Sequence, residues 1–267
     1  VIAFIFGVMI AILPQSLINY STHETWSPAV ISQKTEKSLF ALQLMWGITI
    51  QRYETNIDPA FPSASRYYID KAGEELFKSE NLEKSQVTVA DYILLAVQHP
   101  LDFLGIYGRH LVNGLDLRDG EVYIKNSNSK SDRIAALNFF VLALALLSIL
   151  VRYNAWKSTG SVSCEGAFIK RSNAVAHWPL FALLLVLPVI AVIPGAIETR
   201  FFLPLHVLLY CTIAFNSSAM EMVIYLKKHW IPVLAGAGFL CIFFFAISTN
   251  TMSSVYPFIH PPYRFGQ

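Results

Sequence analysis

The sequence predicts an all-α integral membrane protein with about five transmembrane helices and one large extracytoplasmic insert, α/β or mostly α. Three observations carry that prediction. First, 54% of the 267 residues are hydrophobic and only 14% are charged, and the mean hydropathy of +0.47 lies outside the range of soluble domains. Second, the stretches 134–151, 178–197, 201–220 and 230–248 contain no Asp, Glu, Lys or Arg. Each is long enough to cross roughly 30 Å of hydrocarbon as a helix, the form in which backbone N–H and C=O groups bond internally. Third, residues 20–133 hold 15 of the 18 acidic residues and 12 of the 20 Lys and Arg, which marks a water-exposed segment of domain size.

The elements follow in order. Residues 1–19 read as a truncated transmembrane helix: the chain opens at Val1 directly into VIAFIFGVMIAIL, with no initiator Met and no basic region ahead of it. The expectation is therefore the C-terminal portion of a longer protein. In the insert, ETNIDPAFPSASRYY is turn-rich, with Pro59 and Pro62 breaking regular elements. Thr88 in TVAD fits a helix N-cap with an acid three residues on. The following segment, 88–114, is largely apolar on one side and contains Pro100, which should break or kink it. Such a segment suits the membrane surface; a buried helix pair in a small soluble domain is the other reading. Asp119-Gly120 then suits a tight hairpin turn. Residues 134–267 form the four-helix transmembrane region with a short tail.

Orientation follows from the Lys and Arg of short loops. The 152–177 loop carries Arg152, Lys157, Lys170 and Arg171, and the 221–229 loop carries Lys227 and Lys228, whereas the 198–200 turn and the 249–267 tail offer only Arg200 and Arg264. The first two loops are thus assigned to the cytoplasm. The insert, the 198–200 turn and the C-terminus then share the outer face, where function is sought.

On that face, Glu198 and Arg200 stand between two apolar runs. They can be read as a helix cap and a snorkelling cation. They can also be read as a phosphate-gripping guanidinium, since its planar fork pairs with phosphate oxygens, with Glu198 orienting it if the turn is not helical. His206 lies inside a span, where an ionisable group marks either function or a hydrogen bond to a neighbouring helix. At the first boundary, Gln15, Asn19, His23 and Glu24 are either interfacial polar residues or contacts to a sugar or acceptor, because amides and carboxylates offer the donors and acceptors that hydroxyls require. His99 and His110 are too far apart for one metal ion and have no companion ligands, so no metal site is assigned and no cofactor is predicted, although a divalent metal is not excluded. The net charge of +2 is small and its cations are scattered, giving no nucleic-acid footprint. Three cysteines, Cys164, Cys211 and Cys241, are too few and too separated for a disulfide framework.

LPQSLIN followed by WSP, then HPLDFLGIYGRHLVNGLD, and above all ETRFFLPLH resemble the C-terminal half of a GT-C class membrane glycosyltransferase, a bacterial relative of the protein O-mannosyltransferases and aminoarabinose transferases. The resemblance implies hexosyl or pentosyl transfer from a polyprenyl-phosphate-linked sugar to a lipid, glycan or protein acceptor, at the outer side of a bacterial inner or plasma membrane. It also implies a catalytic carboxylate in a first outward loop upstream of Val1, so none is carried over and the fragment alone is expected to be inactive. Arg200, oriented by Glu198, is the candidate for holding the lipid phosphate, with His206 nearby. Rival readings are an O-antigen ligase or polymerase, a transporter component, and a non-enzymatic membrane scaffold.

Overall fold

The computed structural model describes residues 2–31, 38–57, 65–82, 88–118, 132–159, 178–216 and 219–255. The elements are α1 (Ile2–His23), α2 (Leu39–Thr49), β1 (Ile50–Thr55), β2 (Ser65–Ile69), α3 (Lys71–Ser79), α4 (Val89–Gln98), α5 (Pro100–Gly114), α6 (Asp132–Thr159), α7 (Trp178–Val192), a 3₁₀ turn (Thr199–Phe202), α8 (Leu203–Asn216) and α9 (Ala219–Ser253). The predominantly helical, membrane-associated class is as the composition predicts.

The number of spans is not. Among the described residues, two helices are long and apolar enough to cross a membrane, within Asp132–Asn154 and Met220–Ser253, and a third span arises only if the bent pair α4–α5 is counted as one. Five spans is therefore corrected to two or three. The physical reason lies in the breakers. Pro194-Gly195 follows α7, which has 15 residues. The next segment begins as a 3₁₀ turn, leaving 14 residues for α8. The 221–229 segment, read above as a cytoplasmic loop, is instead helical and joins the rest of α9 across a kink. Its break is confined to His229 (φ −128°, ψ 29°), one turn before Pro232, whose ring clashes with the carbonyl four residues back. Helix α1 likewise continues through Pro14 and ends at His23, where Glu24 takes up a left-handed conformation (φ 54°) and its N–H bonds to the Tyr20 carbonyl at 3.0 Å.

Two expected local signals are present. Thr88 and Asp91 cap each other reciprocally at the start of α4. Pro100 occupies the first turn of α5, where its missing N–H costs nothing, and α4 and α5 meet at 108°. The Asp119-Gly120 hairpin lies outside the described residues. The antiparallel pairing of β1 with β2, with Tyr53 opposite Tyr67 and Glu54 opposite Arg66, was not expected from the turn-rich reading of this region.

Two cores flank a junction. Leu42, Met45, Ile48, Phe77, Tyr92, Leu95, Phe103 and Ile106 hold α2, α3, α4 and α5 together. Val112, Leu115, Ala135, Phe139, Ala145 and Leu209 join α5, α6 and α8, with Phe139 edge-on to Phe244 of α9 at 5.7 Å. The junction between these cores is tight. A Cβ at Gly47 would lie 2.5 Å from the Pro194 carbonyl oxygen, and one at Gly114 would collide with the Phe202 ring. The strand pair is tied to α9: the Ile69 N–H donates to the Ser254 carbonyl at 3.0 Å, so the residues just past α9 extend the edge of β2.

Candidate functional site

The junction is built around β1. Side chains two apart on a strand share a face, and this places Arg52 and Glu54 together, both buried, with Arg52 Nε 2.7 Å from Glu54 Oε1. Arg52 Nη1 donates to the Asp116 carbonyl at 3.0 Å. Asp116, just past α5, also takes Arg118 Nε at 2.7 Å and the hydroxyl of Ser248 from α9. Arg118 reaches on to Ser248 at 2.7 Å and to Asp132 at 2.5 Å, the first residue of α6. Five ionic side chains thus tie a strand, two helix ends and a third helix into one network. The two carboxylates beside it hold the Arg52 guanidinium well above its ordinary pKa against the opposing effect of burial. Burial pushes the Glu54 carboxyl up, opposed by Arg52.

The 198–200 turn docks on the same strand. The Tyr53 N–H donates to the Ile197 carbonyl at 2.8 Å, the Thr55 N–H donates to Glu198 Oε1 at 3.2 Å, and the Thr199 N–H donates to Glu54 Oε1 at 3.3 Å. Strand and turn therefore exchange carboxylate-to-backbone bonds in both directions, a clasp in which each carboxylate fixes the other segment. This explains why Glu198, with no exposed surface, tolerates burial.

Glu198 occupies the N-cap position of the 3₁₀ turn with the extended backbone usual there (φ −122°, ψ 139°), but its side chain makes no capping bond. It lies against Arg200 instead, with Arg200 Nε 2.8 Å from Glu198 Oε2. The N–H is not aligned on that oxygen, so the contact is an ion pair rather than a directed hydrogen bond. Arg200 also stands 5.5 Å from the centre of the Phe201 ring and keeps 34% of its side chain exposed. Tyr53 completes the group. Burial, and next the Glu198 carboxylate to which its side chain bonds, push its phenol up to about 12.

The other candidates fall in different places. His206 is buried near the Gly114 backbone and Asp116, and its Nε2 has no partner among the described residues. Asn19 is buried and its amide donates to the Ser27 and Ala29 carbonyls, both at 2.7 Å, while Gln15 donates to Asn19 Oδ1 at 3.0 Å. These two residues therefore fasten the chain leaving α1. Glu24 is exposed and His23 half-buried beside the stacked pair Tyr20–Trp26, whose rings are 4.9 Å apart. His110 Nδ1 lies 2.6 Å from the Ile193 carbonyl oxygen, and His99 sits between Glu80 and Asp102 at 3.4 and 3.6 Å. Among the described residues, no three His, Cys, Asp or Glu side chains form a group that would hold a metal ion.

The sequence reading missed Arg52, Tyr53, Glu54, Asp116 and Arg118. The signal was available in IQRYET and LDLR, where charges two apart in an extended segment share one face. Comparison of the chain with known protein families, curated proteins and solved structures gives no match.

Proposed function

We propose that this chain is the C-terminal part of a polyprenyl-phosphate-sugar-dependent glycosyltransferase acting at the extracytoplasmic membrane face, and that Arg200 holds the lipid phosphate. The observation that carries this reading is the asymmetry of the Glu198–Arg200 pair: the carboxylate is sealed and the guanidinium is one-third exposed. A buried acid fixed by a backbone N–H and a tyrosine holds the cation in place before any ligand arrives. Such preorganisation is what leaving-group stabilisation requires, because negative charge collects on the phosphate as the sugar–phosphate bond breaks. The chain around it supports the same reading, since the turn comes a few residues after an apolar helix, α7, in a membrane-associated fold.

The resemblance of ETRFFLPLH to the GT-C pattern supplies the substrate class, and the donor sugar and acceptor follow from that class rather than from the site. The catalytic carboxylate is assigned upstream of Val1 on the same ground.

In the full-length enzyme, Arg200→Ala is expected to reach the membrane and to lose about 3 kcal/mol of transition-state stabilisation, roughly 100-fold in rate. Removing Arg200 also leaves Glu198 buried without its cation. The double variant Glu198→Gln with Arg200→Ala separates the two effects, since it should regain stability but not transfer. Near-normal turnover in either variant contradicts the assignment.

A further inference from the structure

Helices α4 and α5 form an elbow whose two sides differ. On the inner side Tyr92, Leu95, Phe103 and Ile106 are buried in the first core. On the outer side Ile93, Leu94 and Leu104 are more than half exposed, and Val97 and Leu101 are 71% and 80% exposed. The pair is apolar enough to pass for a membrane span when the two helices are counted together, but they are bent by 108°. Arms of 10 and 15 residues reach about 15 and 22 Å, each short of the roughly 30 Å core. An uncovered apolar patch of this kind on a soluble protein would mark an interaction site.

We infer that this elbow docks into one leaflet of the bilayer, with Val97, Leu101 and Leu104 among the head groups and upper acyl chains. The fold favours lipid over a protein partner, because both arms are fastened to the end of the apolar helix α7. The Tyr92 hydroxyl donates to the Pro194 carbonyl at 2.9 Å, and His110 contacts the Ile193 carbonyl. On α7, Leu183, Leu187 and Ile190 are also exposed, so the elbow is fastened to a helix that itself presents apolar side chains outward. Depth is limited by Gln98 and Asp102, which are exposed beside the tip. A dip of about 5–10 Å, typical of interfacial helices, keeps them in the head-group layer. The inference concerns how the chain sits on lipid and does not depend on the proposed chemistry.

The test is spin labelling of the full chain in phosphatidylcholine vesicles, with its native cysteines replaced by serine. Labels at Val97→Cys and Leu101→Cys, both at exposed positions, are compared with one at Lys78→Cys, an exposed position on α3. Collision with oxygen should exceed collision with a water-soluble nickel chelate at positions 97 and 101, and the reverse should hold at 78. Nickel access at 97 and 101 equal to that at 78 overturns the inference. So does protection of both positions from both reagents, which would mean that protein, such as a second copy of the chain, covers the elbow. Labels at Ile93→Cys and Leu104→Cys provide the same reading on each arm if either tip variant fails to fold.

Discussion

Two groups of arginines meet the same strand and live in different surroundings. Arg52 and Arg118 have almost no exposed surface, and each touches more than one oxygen acceptor supplied by distant parts of the chain. Arg200 pairs with a carboxylate two residues away and keeps a third of its side chain open. The difference separates two uses of a guanidinium. A sealed cation bonded on all sides holds helices in register, and a ligand could reach it only by dismantling the network. A cation fastened from behind by a buried acid stays oriented and remains accessible.

The largest expected effect breaks the sealed group. Asp116 accepts from Arg118 and Ser248 and lies 3.6 Å from Arg52, so Asp116→Ala removes the carboxylate that two buried guanidiniums share. It should lower unfolding stability in detergent by about 3–5 kcal/mol. An unchanged denaturation midpoint would remove the structural role assigned to that network. On the open side, Arg200→Lys keeps a cation beside Glu198 but loses the planar fork. Thermal unfolding should stay near that of the wild type while sugar transfer falls toward the roughly 100-fold loss of Arg200→Ala; equal losses in both measurements would erase the contrast.

A third measurement sharpens the link between strand and turn. The Tyr53 phenol is raised from about 10 to about 12. The fold therefore prefers its neutral form, and the stability it contributes is complete below pH 10 and is lost as pH rises through 12. Subtracting the phenolate absorbance of Tyr53→Phe isolates its titration among the twelve tyrosines. In Glu198→Gln the midpoint should move part of the way back down, because burial, the larger cause, remains. An unmoved midpoint would mean that the carboxylate does not act on the phenol. The smallest effect lies farthest from either arginine group. Thr88→Ala removes the reciprocal cap on α4 and should cost about 1 kcal/mol without altering transfer.

Short-range chemistry was legible in the sequence. TVAD announced its cap and Pro100 announced the elbow, whereas the Glu198–Arg200 pair, expected only if the turn is not helical, forms with Arg200 inside a 3₁₀ turn and Glu198 extended just ahead of it. Span counting failed where hydropathy averages over breakers. Pro194, Gly195 and the 3₁₀ turn shorten two apolar runs, while Lys227 and Lys228 proved compatible with a continuing helix. The clasp between β1 and the turn was illegible for a different reason. Its bonds join residues more than 140 positions apart, and no local pattern encodes which carboxylate will meet which backbone N–H. Asn19 shows the same limit: the sequence left it as an interfacial polar residue or a sugar contact, and its amide is bonded to two carbonyls of the following loop.

The most direct measurement is binding of a polyprenyl phosphate to the chain in lipid nanodiscs, wild type against Arg200→Ala combined with Glu198→Gln. A hydrogen-bonded charge pair of about 1.5–3 kcal/mol predicts at least a tenfold loss of affinity in the double variant, with the fold intact. Equal affinity in the two proteins would contradict the assignment of Arg200 to the lipid phosphate.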